Sequence, residues 1–129
     1  MDDLLIEKGY STPRVFFNKA DNKLEIVGES FSEETAHFYQ PIMEWLEKYL
    51  KANPEPISLD FRLSYFNTSS SQSIFEILEM LNNYATNYNI TIVVNWYASA
   101  HDLDMIEDGE DFQDDFSALN FNVLTEQTL

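Results

Sequence analysis

The sequence predicts an α/β fold in the order β-β-α-β-α-β, with a mixed sheet, the helices mainly on one face and a short C-terminal element. Two observations carry this expectation. Ile57-Ser58-Leu59-Asp60-Phe61-Arg62-Leu63-Ser64-Tyr65 alternates apolar and polar residues without a break, the period of a strand. Directly after it, Ile74, Ile77, Leu78, Leu81 and Ala85 recur at helical spacing. The chain of 129 residues, 44% hydrophobic and 15% aromatic, has the size and the apolar material for a single domain over residues 1–129.

The elements follow in order. Pro13 to Lys19 and Lys23 to Gly28 read as strands joined by the turn Ala20-Asp21-Asn22, hence a β-hairpin. Ser32 is the expected cap of a helix whose first turn holds Glu33 and Glu34. Phe38, Ile42, Trp45, Leu46 and Tyr49 form its inner stripe as far as Leu50. Pro41 interrupts the stripe, and two placements are open: it starts the main helix, where proline suits the first turn, or it kinks it. Pro54 and Pro56 close the segment before the alternating strand. Ile90 to Tyr97 is a further strand, Asp102 to Asp115 an acidic loop, and Phe121 to Leu124 a short edge strand.

Both central strands are amphipathic, unlike strands covered on both sides. Leu59, Phe61, Leu63 and Tyr65 oppose Ser58, Asp60, Arg62 and Ser64; Ile92, Val94 and Trp96 oppose Thr91, Asn95 and Tyr97. The pattern predicts helices on one face only. The other face, with Phe16, Val27, Phe66, Val93 and Tyr97 projecting from it, is either an open docking surface or covered by the C-terminal tail.

Charge narrows the function classes. A formal net charge of -16 opposes binding to nucleic acid and to anionic membranes, and favours protein partners with basic patches. With no cysteine, disulfides and cysteine-based zinc sites are excluded. Met1-Asp2-Asp3 is not followed by a long apolar run, and nothing approaches the roughly 20 apolar residues of a membrane span. The expectation is a soluble cytoplasmic protein without a cofactor.

Asn67-Thr68-Ser69-Ser70-Ser71 puts four consecutive hydroxyls where the strand turns into a helix. Free backbone N–H groups and the positive end of the helix dipole meet there, so a phosphate is well received. Thr68 or Ser69 there serves as a helix cap, a phosphorylation switch, or both. The acidic stretch departs from a calcium loop, since Gly109 lies five residues after Asp104 but Ile106 then takes a ligand position. It reads as a solvated face that recruits a basic partner. His37 and His101 are isolated, and no phosphate loop, nucleophile elbow or metal-binding helix motif is present. A hydrolase using Ser70 with His101 has no supporting signature.

Further motifs run through most of the chain: Thr12-Pro13, Gly28-Glu29-Ser30, Phe38-Tyr39-Gln40-Pro41, Trp45-Leu46, Tyr65-Phe66 before the hydroxyl run, Asn95-Trp96-Tyr97, Asp102-Leu103-Asp104-Met105 and Glu107-Asp108-Gly109-Glu110-Asp111. The arrangement resembles the STAS-like fold of anti-sigma-factor antagonists. The ordered motifs are most similar to the SiaC family of bacterial regulatory phosphoproteins. That resemblance implies a non-enzymatic protein whose phosphoacceptor threonine falls on Thr68. It implies a dedicated serine/threonine kinase, a PP2C-type phosphatase and a diguanylate cyclase that the unphosphorylated form activates, raising cyclic di-GMP and favouring biofilm. Partner contacts are then expected at Tyr65, Phe66, Asn67, Ser69, Ser70, Asp102, Asp104, Glu107 and Asp108. The alternative is an anti-sigma-factor antagonist in a partner-switching cascade. Gln72 stands where relatives often carry lysine, and Asn18 where an acidic residue is commoner.

Overall fold

A six-stranded mixed sheet with all three helices against one face organises the computed structural model, which describes residues 3–53 and 55–127. The elements are β1 (Leu4–Ile6), β2 (Arg14–Asn18), β3 (Lys23–Ser30), α1 (Thr35–Ala52), β4 (Ile57–Phe66), α2 (Thr68–Tyr88), β5 (Ile92–Ser99), α3 (Leu103–Asp115) and β6 (Asn120–Glu126). The strands lie side by side in chain order. β1 to β3 pair antiparallel, and β3 to β6 are parallel, each pair linked through a helix. Asn22, at φ 50°, makes the tight turn between β2 and β3; asparagine tolerates that left-handed geometry better than most residues.

The expected alternation sets the core. One register row, Phe17, Leu24, Leu59, Val94 and Phe121, crosses five strands and is buried throughout. On it pack Ile42, Leu46 and Leu50 of α1, Ile74, Ile77, Leu78 and Leu81 of α2, and Met105 and Phe112 of α3. A neighbouring row, Glu25, Asp60, Asn95 and Asn122, lies on the opposite face. Asp60 there is only 3% exposed, yet it pairs with Lys23 at 3.0 Å and accepts from Asn95 Nδ2 at 3.0 Å. Asn122 Nδ2 donates in turn to Asn95 Oδ1 at 3.2 Å. Buried charge is tolerated because each partner is satisfied. Phe16, Val27, Val93 and Tyr97 are half-buried on this face, and Arg62 lies 3.7 Å from the Tyr97 ring centroid while pairing with Glu126 at 2.8 Å.

The structure differs from the sequence reading at four places. β1 was not expected. The segment expected as an acidic loop is the helix α3: Asp102 caps it by accepting from Met105 N at 3.1 Å, and Met105, Gly109 and Phe112 are its buried stripe. It lies on the helix-covered face, because Trp96 Nε1 donates to the Met105 carbonyl at 3.0 Å, and so it leaves the opposite face open. Helix α1 begins at Thr35 and runs through Pro41; Ser32 stands before it and accepts from the Glu34 amide at 3.0 Å. The expected closing role of Pro54 lies outside the described residues. Finally, a register shift between Gly28 and Glu29 breaks the alternation at the end of β4. Tyr65 moves out of the core face, and Phe66 packs on Trp96 at 5.7 Å instead of joining the open face. Gly28 makes this possible, since its φ of +127° is strained for any side chain.

Candidate functional site

The site begins where β4 ends. Asn67 is extended (φ -88°, ψ 177°), and its Oδ1 accepts from the Ser70 amide at 2.8 Å, so asparagine caps α2 and neither Thr68 nor Ser69 does. This leaves Thr68 as the first helical residue, exposed, with Ser69 exposed beside it.

Ser70 has a different fate. It is 0% exposed, and its Oγ donates to the Ser30 carbonyl at 2.8 Å. Because each hydroxyl has one proton, Ser30 Oγ must donate to Ser70 Oγ (2.7 Å) and Tyr39 must donate to Ser30 Oγ (2.8 Å). The Asn67 amide adds a bond to the same Ser30 carbonyl at 3.0 Å. This chain ties β3, α1 and α2 together and holds the turn that presents Thr68. Burial pushes the Tyr39 phenol up to about 12, partly offset by its bond with Ser30.

Two surface features stand out near the start of α2. One is a groove of about 310 Å³, lined from α2 by Thr68, Ser71, Gln72 and Phe75 and from α3 by Asp108, Asp111, Phe112 and Asp115. Three carboxylates and no lysine or arginine line it. Burial raises the Asp108 pKa, and the neighbouring carboxylates of Asp111, Asp104, Glu107 and Asp102 raise it further. An aromatic row begins three residues before Thr68, at Tyr65. Tyr65 is 51% exposed, its ring 6.2 Å from Phe31, which lies 5.8 Å from Tyr10, itself 94% exposed.

Among the expected site residues, Thr68, Ser69 and Tyr65 are thus exposed and close in sequence, and Asp108 lines the same groove as Thr68. Asp102 is half-buried as the cap of α3, while Asp104 and Glu107 are exposed on its first turns. Asn67 is engaged as a cap, Phe66 packs inward, and Ser70 is out of a partner's reach in this fold. Sequence reasoning missed Tyr10, Phe31, Asp111 and Asp115. A signal for the last two existed: Asp104, Asp108, Asp111 and Asp115 recur at helical spacing, which aligns carboxylates on one face. Ser70 Oγ donates to the Ser30 carbonyl and not to His101, so the Ser70–His101 pair that a hydrolase would use is not formed. Among the described residues no group of three or more metal-ligating side chains converges, and no helix is long and apolar enough to cross a membrane.

The model of the SiaC family of regulatory phosphoproteins matches residues 6–126. The chain belongs to the SiaC family. Among solved structures, a chain of the crystal structure of the diguanylate cyclase SiaD in complex with its activator SiaC from Pseudomonas aeruginosa superposes with a TM-score of 0.88. The two are 27% identical, over 96% of this chain and 100% of that one. The crystal structure of apo-SiaC from the same organism gives a TM-score of 0.85 at 26% identity, covering 98% and 99%. An uncharacterized protein of Pseudomonas aeruginosa (strain UCBPP-PA14) is 29% identical over 117 residues, 91% of this chain and 92% of the relative. The SiaC family is regulatory, and its mixed α/β architecture is the one described above.

Proposed function

We propose that this chain is a non-enzymatic regulator that binds and activates a diguanylate cyclase, and that phosphorylation of Thr68 switches the binding off. A serine/threonine kinase and a PP2C-type phosphatase set the phosphorylation state. The partner surface comprises Thr68, Ser69 and Tyr65, with Tyr10 and Phe31 beside them and the exposed carboxylates Asp104 and Glu107 of α3. The half-buried Asp108 contributes its field from across the groove, and the buried Ser70 is left out.

One observation carries the reading. Thr68 is an exposed hydroxyl at the first turn of α2, three residues after the exposed Tyr65 and on the wall of a groove lined by carboxylates without a lysine or arginine. Phosphate would add about -1.5 to -2 charges there. The start of α2 accommodates it locally, so the fold persists. A partner packed over Tyr65 and Thr68 would have to desolvate the dianion with no counter-charge supplied from this side, at a cost of several kcal/mol, roughly. A loss of ~2.7 kcal/mol already weakens binding a hundredfold. No change of shape is required. The similarity to SiaC supports the choice of partner.

The test is binding of three forms to the cyclase: the unmodified protein, Thr68→Ala, and protein carrying phosphothreonine at 68. The first two should bind alike and the third at least tenfold more weakly, with Thr68→Glu between them. Tight binding by stoichiometrically phosphorylated protein would overturn the proposal. Phosphopeptide mass spectrometry of the protein from its native cells establishes whether Thr68 is modified.

A further inference from the structure

The sheet face opposite the helices is open, and the partner surface proposed above makes no use of it. Its charge differs from that of the rest of the molecule. Of the strand residues turned to this side, leaving aside Glu29 beyond the register shift, Arg14, Lys23 and Arg62 are matched by Glu25, Asp60 and Glu126. The chain holds 23 acidic and 7 basic residues. The face is therefore neutral, while twenty acidic residues against four basic ones, Glu29 at its margin included, are left for the remainder. Two copies that approach through the helices meet like charge, and through this face they do not.

The face is also prepared for being covered. All three cations are already paired within the molecule: Lys23 with Asp60 at 3.0 Å, Arg62 with Glu126 at 2.8 Å and Arg14 with Glu7 at 4.0 Å. The ladder from Asp60 through Asn95 to Asn122 is closed by its own hydrogen bonds. Covering it strands no unpaired charge, which is the usual penalty for burying a polar surface. Arg14 is held over the Phe16 ring at 5.4 Å and Arg62 over Tyr97 at 3.7 Å. Stacked arginine and aromatic side chains are the residue types that anchor protein interfaces. Leu5 and Leu124 stand exposed at its two ends, on β1 and β6. Six strands about 4.8 Å apart and up to about 26 Å long present roughly 600 Å² in projection, the scale of the ~800 Å² that each partner buries in a standard interface.

We propose that the open face is the contact between two copies of this chain, stacked sheet on sheet. A neutral face with its charges paired selects neither a basic nor an acidic partner, and a second copy matches it. The contact is reversible and strengthened by salt, because the acidic remainder of each copy repels that of the other. The groove beside Thr68 lies between α2 and α3, on the far side of the sheet, so the pair presents two such surfaces outward at once.

Sedimentation velocity of the full, unphosphorylated chain tests this. Its mass should rise from that of one chain towards that of two as concentration approaches about 1 mM, the weak end of specific association. Association should be tighter at about 0.5 M than at about 0.05 M sodium chloride. Val93→Glu and the exposed Leu124→Glu each put a like charge on both faces and should weaken association at least tenfold. Leu103→Glu, exposed at the start of α3, should not. Far-UV circular dichroism establishes that each variant is folded. On dilution of the parent, the NMR signals of Tyr97 and of the Asn122 side-chain amide should shift while those of Tyr88, on the helix side, stay fixed. A chain that remains single at about 1 mM and high salt overturns the proposal and leaves the face to a different protein. So does association that survives both glutamate variants, or dilution shifts at Tyr88 in place of Tyr97. Neither phosphate nor cyclase takes part, so the outcome is independent of the phosphorylation switch.

Discussion

Gly109 of α3 lies so close to Trp96 of β5 that a Cβ at 109 would stand 2.4 Å from the indole Cδ1 and 2.8 Å from Nε1. The indole is held in turn by Phe61, Phe66, Phe112 and Phe121, with ring centroids 5.4 to 6.4 Å away. α3 is therefore seated by a close contact that only glycine permits, and this seating fixes the acidic wall opposite Thr68.

Gly109→Ala should destabilise the protein. Overpacking a full core costs roughly 1–3 kcal/mol, against about 1 kcal/mol that alanine gains over glycine within a helix. The surrounded indole has no free direction in which to yield, so a net loss of about 1 kcal/mol is expected in urea denaturation. An unchanged midpoint would show that α3 shifts outward at little cost.

Capping of α2 can be assigned to one residue. Asn67→Ala should lose about 1 kcal/mol, the usual worth of an N-cap, while Thr68→Ala should change stability by less than about 0.5 kcal/mol, as exposed positions do. Equal losses in the two variants would place capping on Thr68 and undo the distinction between cap and switch.

The two neighbouring serines should also separate. Ser70→Ala removes the central hydroxyl of the Tyr39, Ser30 and Ser70 chain, at about 1–2 kcal/mol for buried hydrogen bonds. Ser69→Ala, being exposed, should be nearly neutral. A thermal melt of each variant decides. If Ser70→Ala is the neutral one, the network does not hold the turn.

Alkaline pH probes the same network. In the fold the Tyr39 phenol titrates at about 12, against 10.0 in an unstructured chain. Below pH 10 both states hold the proton, and the contribution to stability is complete. Between pH 10 and 12 the unfolded chain ionises first, so stability falls as pH rises, by roughly 2–3 kcal/mol over that window. Urea midpoints from pH 8 to 11.5 should fall less steeply in Tyr39→Phe than in the parent. Parallel curves would mean that Tyr39 is not the group responsible.

Sequence alone determined most of the architecture. The unbroken alternation of Ile57 to Tyr65, the helical spacing of Ile74 to Ala85 and the hydroxyl run between them are local patterns. A strand has period two and a helix 3.6 whatever they pack against, so these residues located β4, α2 and the exposed Thr68. The segment Asp102 to Asp115 was legible too, through the spacing of Met105, Gly109 and Phe112, but its high charge hid a helix whose buried stripe is narrow. What the tertiary structure alone decided concerns pairs distant in the chain. The register shift at Gly28 depends on the pairing of β3 with β4, and it exchanges Tyr65 for Phe66 on the core face. The burial of Ser70 depends on Ser30, 40 residues earlier. The acidic groove depends on Trp96 seating α3 beside α2. Sequence spacing encodes which way a side chain points within its own element, but closeness between elements is set by packing and register across the sheet.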